Sequence, residues 1–303
     1  MNRADAAAGI LREPLTIREV MGIFKPRIAV SIMLSAIGGL AISPGALPEM
    51  WRMAAVAIAV LLAAGAAGAF NQWAEADLDA CMARTSTRPF ASGRLDAGWA
   101  WLAGIATLLA VAVIMAGIAG NAQSAFYTFM GAFTYGIVYT MWLKRRTCLN
   151  IVIGGLAGSF AVLAGAASVD PVISIEAILL AIVLFLWTPP HFWSLAIAAR
   201  DDYAANLVPM LPLVVGDRIC AQVILAHTVA LSLIALAPAA FGMGMIYLTF
   251  AVASGILFTA ASIGLARAPT RRNAIRNFFA SLAQLLLLLT GVVLDRWLLG
   301  PLA

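Results

Sequence analysis

The chain has 303 residues, of which 63% are hydrophobic and only 11% charged, with a formal net charge of +5 and a mean hydropathy of +0.97. A water-soluble domain carries roughly 25% charged residues to coat its surface, so a soluble enzyme is excluded and the chain reads as an all-α polytopic membrane protein. The surplus Lys and Arg sit in loops, where they report topology, and no nucleic-acid partner is expected. Cys81, Cys148 and Cys220 form no CxxC pair, so neither a disulfide framework nor a zinc site follows.

Residues 1–20 mix Arg3, Arg12 and Arg18 with Asp5, Glu13 and Glu19, which fits neither a transit peptide nor a secretory signal. The segment 1–23 reads as a cytoplasmic tail with a surface helix. Crossing the hydrocarbon takes about 20 mainly apolar residues. Runs of that kind lie near 24–43, 51–72, 98–119, 122–142, 150–169, 172–198, 219–240, 244–266 and 275–297. The sequence therefore predicts a single domain over 1–303, with nine transmembrane helices over 24–297 bundled around a central cavity. Of the 19 basic residues, all but Arg52 and Arg296 fall before the first span or in the loops after the even-numbered ones. By the positive-inside rule that face is cytoplasmic, in a bacterial inner (plasma) membrane. The loops after spans 2 and 6 are also the long ones, which places the working face there.

After span 2 the chain carries Asn71, Glu75, Asp77 and Asp79. At 100° per residue, Asn71, Glu75 and Asp79 form one stripe, while Asp77 falls about 120° away. Four oxygen-bearing side chains in nine residues suit a hard cation such as Mg²⁺, which takes one or two carboxylates plus water and phosphate oxygens. A second acidic pair, Asp201-Asp202, follows span 6 on the same face. Two such clusters repel unless cations lie between them, and metal-bridged diphosphate is the natural occupant. Arg84, Arg88, Lys144, Arg145 and Arg146 add the positive charge that phosphate or propionate groups require.

Span 6 holds Trp187-Thr188-Pro189-Pro190-His191-Phe192-Trp193. The two prolines remove amide donors and are expected to bend or open the helix. His191 lies nine residues before Arg200, about 13 Å of helix rise. An ionisable group at that depth is either a functional residue or a neutral histidine bonded to a freed carbonyl. His227, alone in span 7, reads as structural.

Asn71, Glu75, Asp77 and Asp79, followed by Met82, Arg84-Thr85 and Arg88-Pro89, resemble the first acidic motif of the UbiA-type intramembrane prenyltransferases. Three stretches resemble its protoheme-farnesylating branch: Tyr139 with Lys144 to Thr147, Asn150 with Gly154-Gly155, and the Trp187 run continuing to Asp201-Asp202-Tyr203 and Pro209-Met210-Leu211-Pro212. The resemblance covers about 25–295. It implies transfer of farnesyl from farnesyl diphosphate to a vinyl group of heme b, with addition of water, giving heme O and diphosphate. It further implies that Asn71, Asp77, Asp79, Asp201 and Asp202 hold Mg²⁺–diphosphate, with Arg84, Arg88, Lys144 and Arg145 pairing its charge. Tyr135, Tyr139 and Trp142 offer ring faces to an allylic cation. His191 would face heme, and a heme A synthase or terminal oxidase would be a partner.

The sequence departs from the pattern at Cys148-Leu149, Ala161-Val162, Ala166 and Leu207, and Glu75 stands where the superfamily has Asp. Two other classes stay open on the residues alone: a relative acting on a quinone head group or chlorophyllide, and a transporter or assembly factor. Transporters place polar groups at the midplane, whereas here the acids gather at one face.

Overall fold

The computed structural model describes residues 15–82, 84–206 and 208–300. Most of the expected tail, and the departure at Leu207, lie outside that range. The first element, α1 (Ile17–Ile23), starts from a capping box in which Thr16 and Glu19 satisfy each other's backbone donors. A 50° bend at Lys25 leads into α2 (Pro26–Ile42), with proline at the first helical position, where no donor is lost.

The chain continues through α3 (Met50–Ala74), the short α4 (Ala76–Ala80), α5 (Trp99–Ala119) and α6 (Ala122–Phe133). Then come α7 (Asn150–Gly154), α8 (Leu156–Val169), α9 (Ile175–Ala198), α10 (Arg200–Ala205) and α11 (Leu211–Val215). The bundle closes with α12 (Asp217–Ile234), α13 (Met245–Arg267) and α14 (Arg271–Leu299), the last packing on both α2 and α9.

Seven stretches are long and apolar enough to cross a bilayer among the described residues, and eight when the bent α1–α2 pair is one span. The sequence predicted nine. The difference lies in the fourth predicted span: α6 runs directly into a π-helical stretch, Thr134–Leu143, so the run is split between two helix types. Large apolar side chains such as Ile114, Ile118, Leu233 and Ile256 point outward, as lipid contact requires. Trp51, Trp99, Trp142 and Trp297, all exposed, stand near helix ends as interfacial anchors. Trp142 therefore faces outward and, contrary to the expectation from the sequence, does not offer its ring to an allylic cation inside the bundle.

The tightest helix crossing joins α2 and α8. A Cβ on Gly39 would sit 2.0 Å from the Val162 carbonyl oxygen, and one on Gly165 would sit 1.9 Å from that of Ala36. Small residues let backbones meet in this way inside membranes. Ala161, Val162 and Ala166, three of the departures from the family pattern, are buried in this helix, with Val162 at the crossing itself. At the bundle end remote from the acids, the Asp295 carboxylate caps α13 by accepting from Gly244 N (2.8 Å) and Tyr247 N (2.9 Å).

Candidate active site

The end of α3 and the start of α4 supply the acids. Helix α3 stops at Glu75, but the i to i−4 bonds from Glu75 N to Asn71 O and from Asp79 N to Glu75 O carry the period across. Asn71, Glu75 and Asp79 are 3%, 2% and 4% exposed while the Asp77 side chain is 67% exposed. The stripe predicted from the 3.6 period is thus the buried face, and Asp77 leaves it as expected.

Each acid is met by a cation from another segment. Lys144 Nζ lies 2.5 Å from Glu75 Oε2, Arg88 Nη1 donates to Asp79 Oδ2 at 2.7 Å, and Arg145 forks onto Asp77 at 2.8–3.1 Å. The Arg145 guanidinium holds the Asp77 carboxyl below the usual carboxylate range. Asn71 braces the first of these pairs, its amide donating to Glu75 Oε2 (2.8 Å) and Thr140 Oγ1 (2.9 Å) while its carbonyl accepts from Lys25.

The π-helical stretch supplies the opposite wall. Tyr135 and Tyr139 stack with ring centroids 5.6 Å apart, and Lys144 Nζ lies 5.9 Å from the Tyr139 ring. In an α-helix Tyr135 and Lys144, nine positions apart, would face opposite ways. With bonds such as Lys144 N–H to Tyr139 O, more residues fit in each turn, so nine residues make about two turns and both side chains face α3.

The second acidic pair opens α10 at the same end of the bundle. Asn206 ties this helix to the end of α4, donating to Asp202 O (2.9 Å) and Cys81 O (3.5 Å). Buried Tyr203 packs with Leu78 and Met82, and burial raises its phenol above the usual range. Asp201 is exposed and Asp202 half-buried. Arg84, also exposed, is within electrostatic reach of Lys25, Tyr139 and Tyr203. Among the described residues, no three His, Cys, Asp or Glu side chains converge on one point. The six expected ligands therefore share one end of the bundle without forming a closed coordination shell.

The donor set nevertheless suits Mg²⁺. All six offer hard oxygens, and Glu75 Oε1 is fully buried with no hydrogen-bond partner among the described residues.

His191 lies apart from these acids. Its ring is stacked between Trp187 and Phe278, with centroids 4.4 Å away on each side, and its Nδ1 is 2.7 Å from Ser281 Oγ. Its partner is thus a hydroxyl on α14, not a carbonyl freed by the prolines. Helix α9 runs through both prolines from Ile175 to Ala198 without the opening expected of them. His227 bonds Val223 O at 2.9 Å and fills a structural place. Lys25 and Thr140 are site neighbours that the sequence reading missed. In the sequence Lys25 reads only as topological charge, and its position just before Pro26 at the head of a span is the available signal.

The chain belongs to the UbiA prenyltransferase family, whose model matches residues 32–288. Among its relatives, protoheme IX farnesyltransferase 2 of Paramagnetospirillum magneticum is 53% identical over 284 residues, spanning 94% of this chain and 99% of that protein. Protoheme IX farnesyltransferase 1 of the same organism is 44% identical, over 93% and 99% of the two chains. The solved structure of a digeranylgeranylglyceryl phosphate synthase superposes with a TM-score of 0.76 at 15% identity, covering 92% of this chain and 98% of that one. A UbiA homolog from Archaeoglobus fulgidus bound to DMAPP and Mg²⁺ gives 0.69 at 13%, covering 87% and 97%. At such identities the structures share the fold alone.

Proposed function

We propose that this protein farnesylates heme b: it transfers the farnesyl group of farnesyl diphosphate to a vinyl group, water adds, and heme O and diphosphate leave. The observation that carries the reading is the full-length identity to protoheme IX farnesyltransferases, and the acid–cation cluster is the matching chemistry. In this reading the active end faces the cytoplasm of a bacterial inner membrane, as the basic loops favour.

The reaction needs charge separation in a dry place. Breaking the C1–O bond sends its electron pair to diphosphate, so negative charge grows there. Lys144, Arg145, Arg88 and Arg84 meet that charge. Asn71, Glu75, Asp77, Asp79, Asp201 and Asp202 would hold Mg²⁺, which when bound withdraws electron density from the leaving diphosphate. The stacked faces of Tyr135 and Tyr139 flank the farnesyl cation, and the surrounding apolar helices keep water away until the vinyl carbon attacks. Positive charge then moves to the carbon beside the porphyrin, where water adds and loses its proton. No protein nucleophile is required. His191, aromatic on both sides, is assigned to the heme half of the cavity. A heme A synthase or a terminal oxidase is the class of partner that consumes the product.

The test is the mass of the heme extracted from cells with and without the protein, backed by turnover with purified protein, heme b, farnesyl diphosphate and Mg²⁺. Heme O that appears only with the protein supports the reading. A prenylated quinone or chlorophyllide replaces the acceptor, and uptake without diphosphate release replaces the whole reading with transport.

A further inference from the structure

Lys25 turns the corner between α1 and α2 with φ +48°, a left-handed backbone that side-chain-bearing residues seldom adopt. A lysine held where glycine would be easier directs attention to its side chain. The corner is fixed from three sides. Gln72 donates to the Gly22 and Ile23 carbonyls at 2.9 and 3.2 Å. Arg94 and Glu19 pair at 2.6 Å, tying α1 to the loop after α4. Gly68 lets the chain come close: a Cβ there would lie 3.3 Å from Phe24 O and 3.4 Å from the Lys25 side chain.

From this corner Nζ donates to Asn71 Oδ1 and, at 3.2 Å, to the Tyr135 hydroxyl, and it lies 5.6 Å from the Tyr135 ring centre. Both acceptors are uncharged. Lys144, Arg88 and Arg145 each already hold a carboxylate directly. Lys25, partly buried among them, directs its charge at neutral oxygens only, among the described residues. A cation withdrawn from water without a direct counter-ion is costly, and an arriving anion relieves that cost.

The geometry points to Lys25 as a further substrate-binding residue, whose ammonium takes a diphosphate oxygen beside Asn71. The inference rests on the diphosphate reading above and adds a cation from the first helix pair to those from the loop after α4 and from the π-helical wall. Because the α1–α2 corner is held by Gln72 and by the Glu19–Arg94 pair, the ammonium is already in place before substrate arrives.

The test is calorimetric titration of inorganic diphosphate with Mg²⁺ into the full-length protein in detergent, for wild type, Lys25→Gln and Lys25→Arg. Glutamine still reaches hydrogen-bonding partners but carries no charge. Lys25→Gln should weaken diphosphate binding about tenfold or more, and Lys25→Arg should stay within about threefold of wild type. The same ranking should appear in KM for farnesyl diphosphate. Wild-type affinity in Lys25→Gln overturns the proposal. So does equal loss in both variants with a lowered Tm, which makes Lys25 only a corner of the fold. Wild-type protein that binds no diphosphate overturns the reading beneath it, and Lys25's role with it.

Discussion

Lys144 and Glu75, 69 positions apart in sequence, meet with Nζ 2.5 Å from Oε2, their side chains 13% and 2% exposed. Removing one partner of a buried pair leaves an uncompensated charge at about 3–5 kcal/mol, whereas removing both charges costs far less. Lys144→Met should therefore destabilise the protein by about that amount, and Glu75→Gln added to it should restore most of the loss without restoring turnover. Unfolding of the single and double variants in detergent checks this.

Asp79 and Asp77 separate folding from chemistry. Asp77 is exposed and its pair with Arg145 contributes little to stability. Asp77→Ala should fold and insert like wild type yet lose prenyl transfer about 100-fold or more; Asp79→Ala should lose transfer as far and stability besides, since its carboxylate is buried against Arg88. Excess chelator should abolish turnover of the wild type. Chromatography of heme O against time reads all three, and a wild-type rate in both variants would remove the acids from the diphosphate site.

The α1 latch carries a pH signature. The Arg94 guanidinium, and then the Thr16 backbone and hydroxyl, hold the Glu19 carboxyl down to about 2 from 4.5. A folded value below the unfolded one means that the contact is complete above about pH 4.5 and is lost as pH falls toward 2. Amide exchange in α1, corrected for intrinsic rates, should thus be flat between about pH 5 and 8. Glu19→Gln should raise exchange there at neutral pH.

At the α2–α8 crossing there is no room for a methyl group. Gly39→Ala forces a Cβ onto the Val162 backbone and should cost about 1–3 kcal/mol. Gly104, with open space around its Cβ position, should accept alanine without loss. Thermal unfolding of the two variants side by side makes the comparison.

For His191, replacement by alanine should weaken heme binding or shift the bound heme's absorption while leaving farnesyl diphosphate affinity nearly unchanged. The ring's contacts with Trp187, Phe278 and Ser281 set it apart from the acids. Unchanged affinities and spectrum with a fall in Tm would make it a packing residue of the α9–α14 contact.

Much of this architecture is legible in the sequence because lipid enforces it. Apolar runs mark the spans, and the buried Asn71–Glu75–Asp79 face follows from the α-helical period. The period also explains the misses. It places Lys144 half a turn from Tyr135, and nothing in the residue types of 134–143 announces a wider helix. Nor do Pro189 and Pro190 announce that α9 will continue through them from Ile175 to Ala198. Lys25 escaped notice because a basic residue beside a span already has an explanation in topology.

A π-helical stretch amounts to an α-helix carrying an extra residue. Suppose the stretch kept all its residues and wound as α. Its composition would be the same, and it would still enter the bilayer. Lys144 would swing about half a turn relative to Tyr135, taking Lys144 away from Glu75 and Arg145 away from Asp77. Insertion and catalysis are thus recorded differently in this segment: the membrane responds to which residues are present, and the active site depends on how many of them fit in each turn.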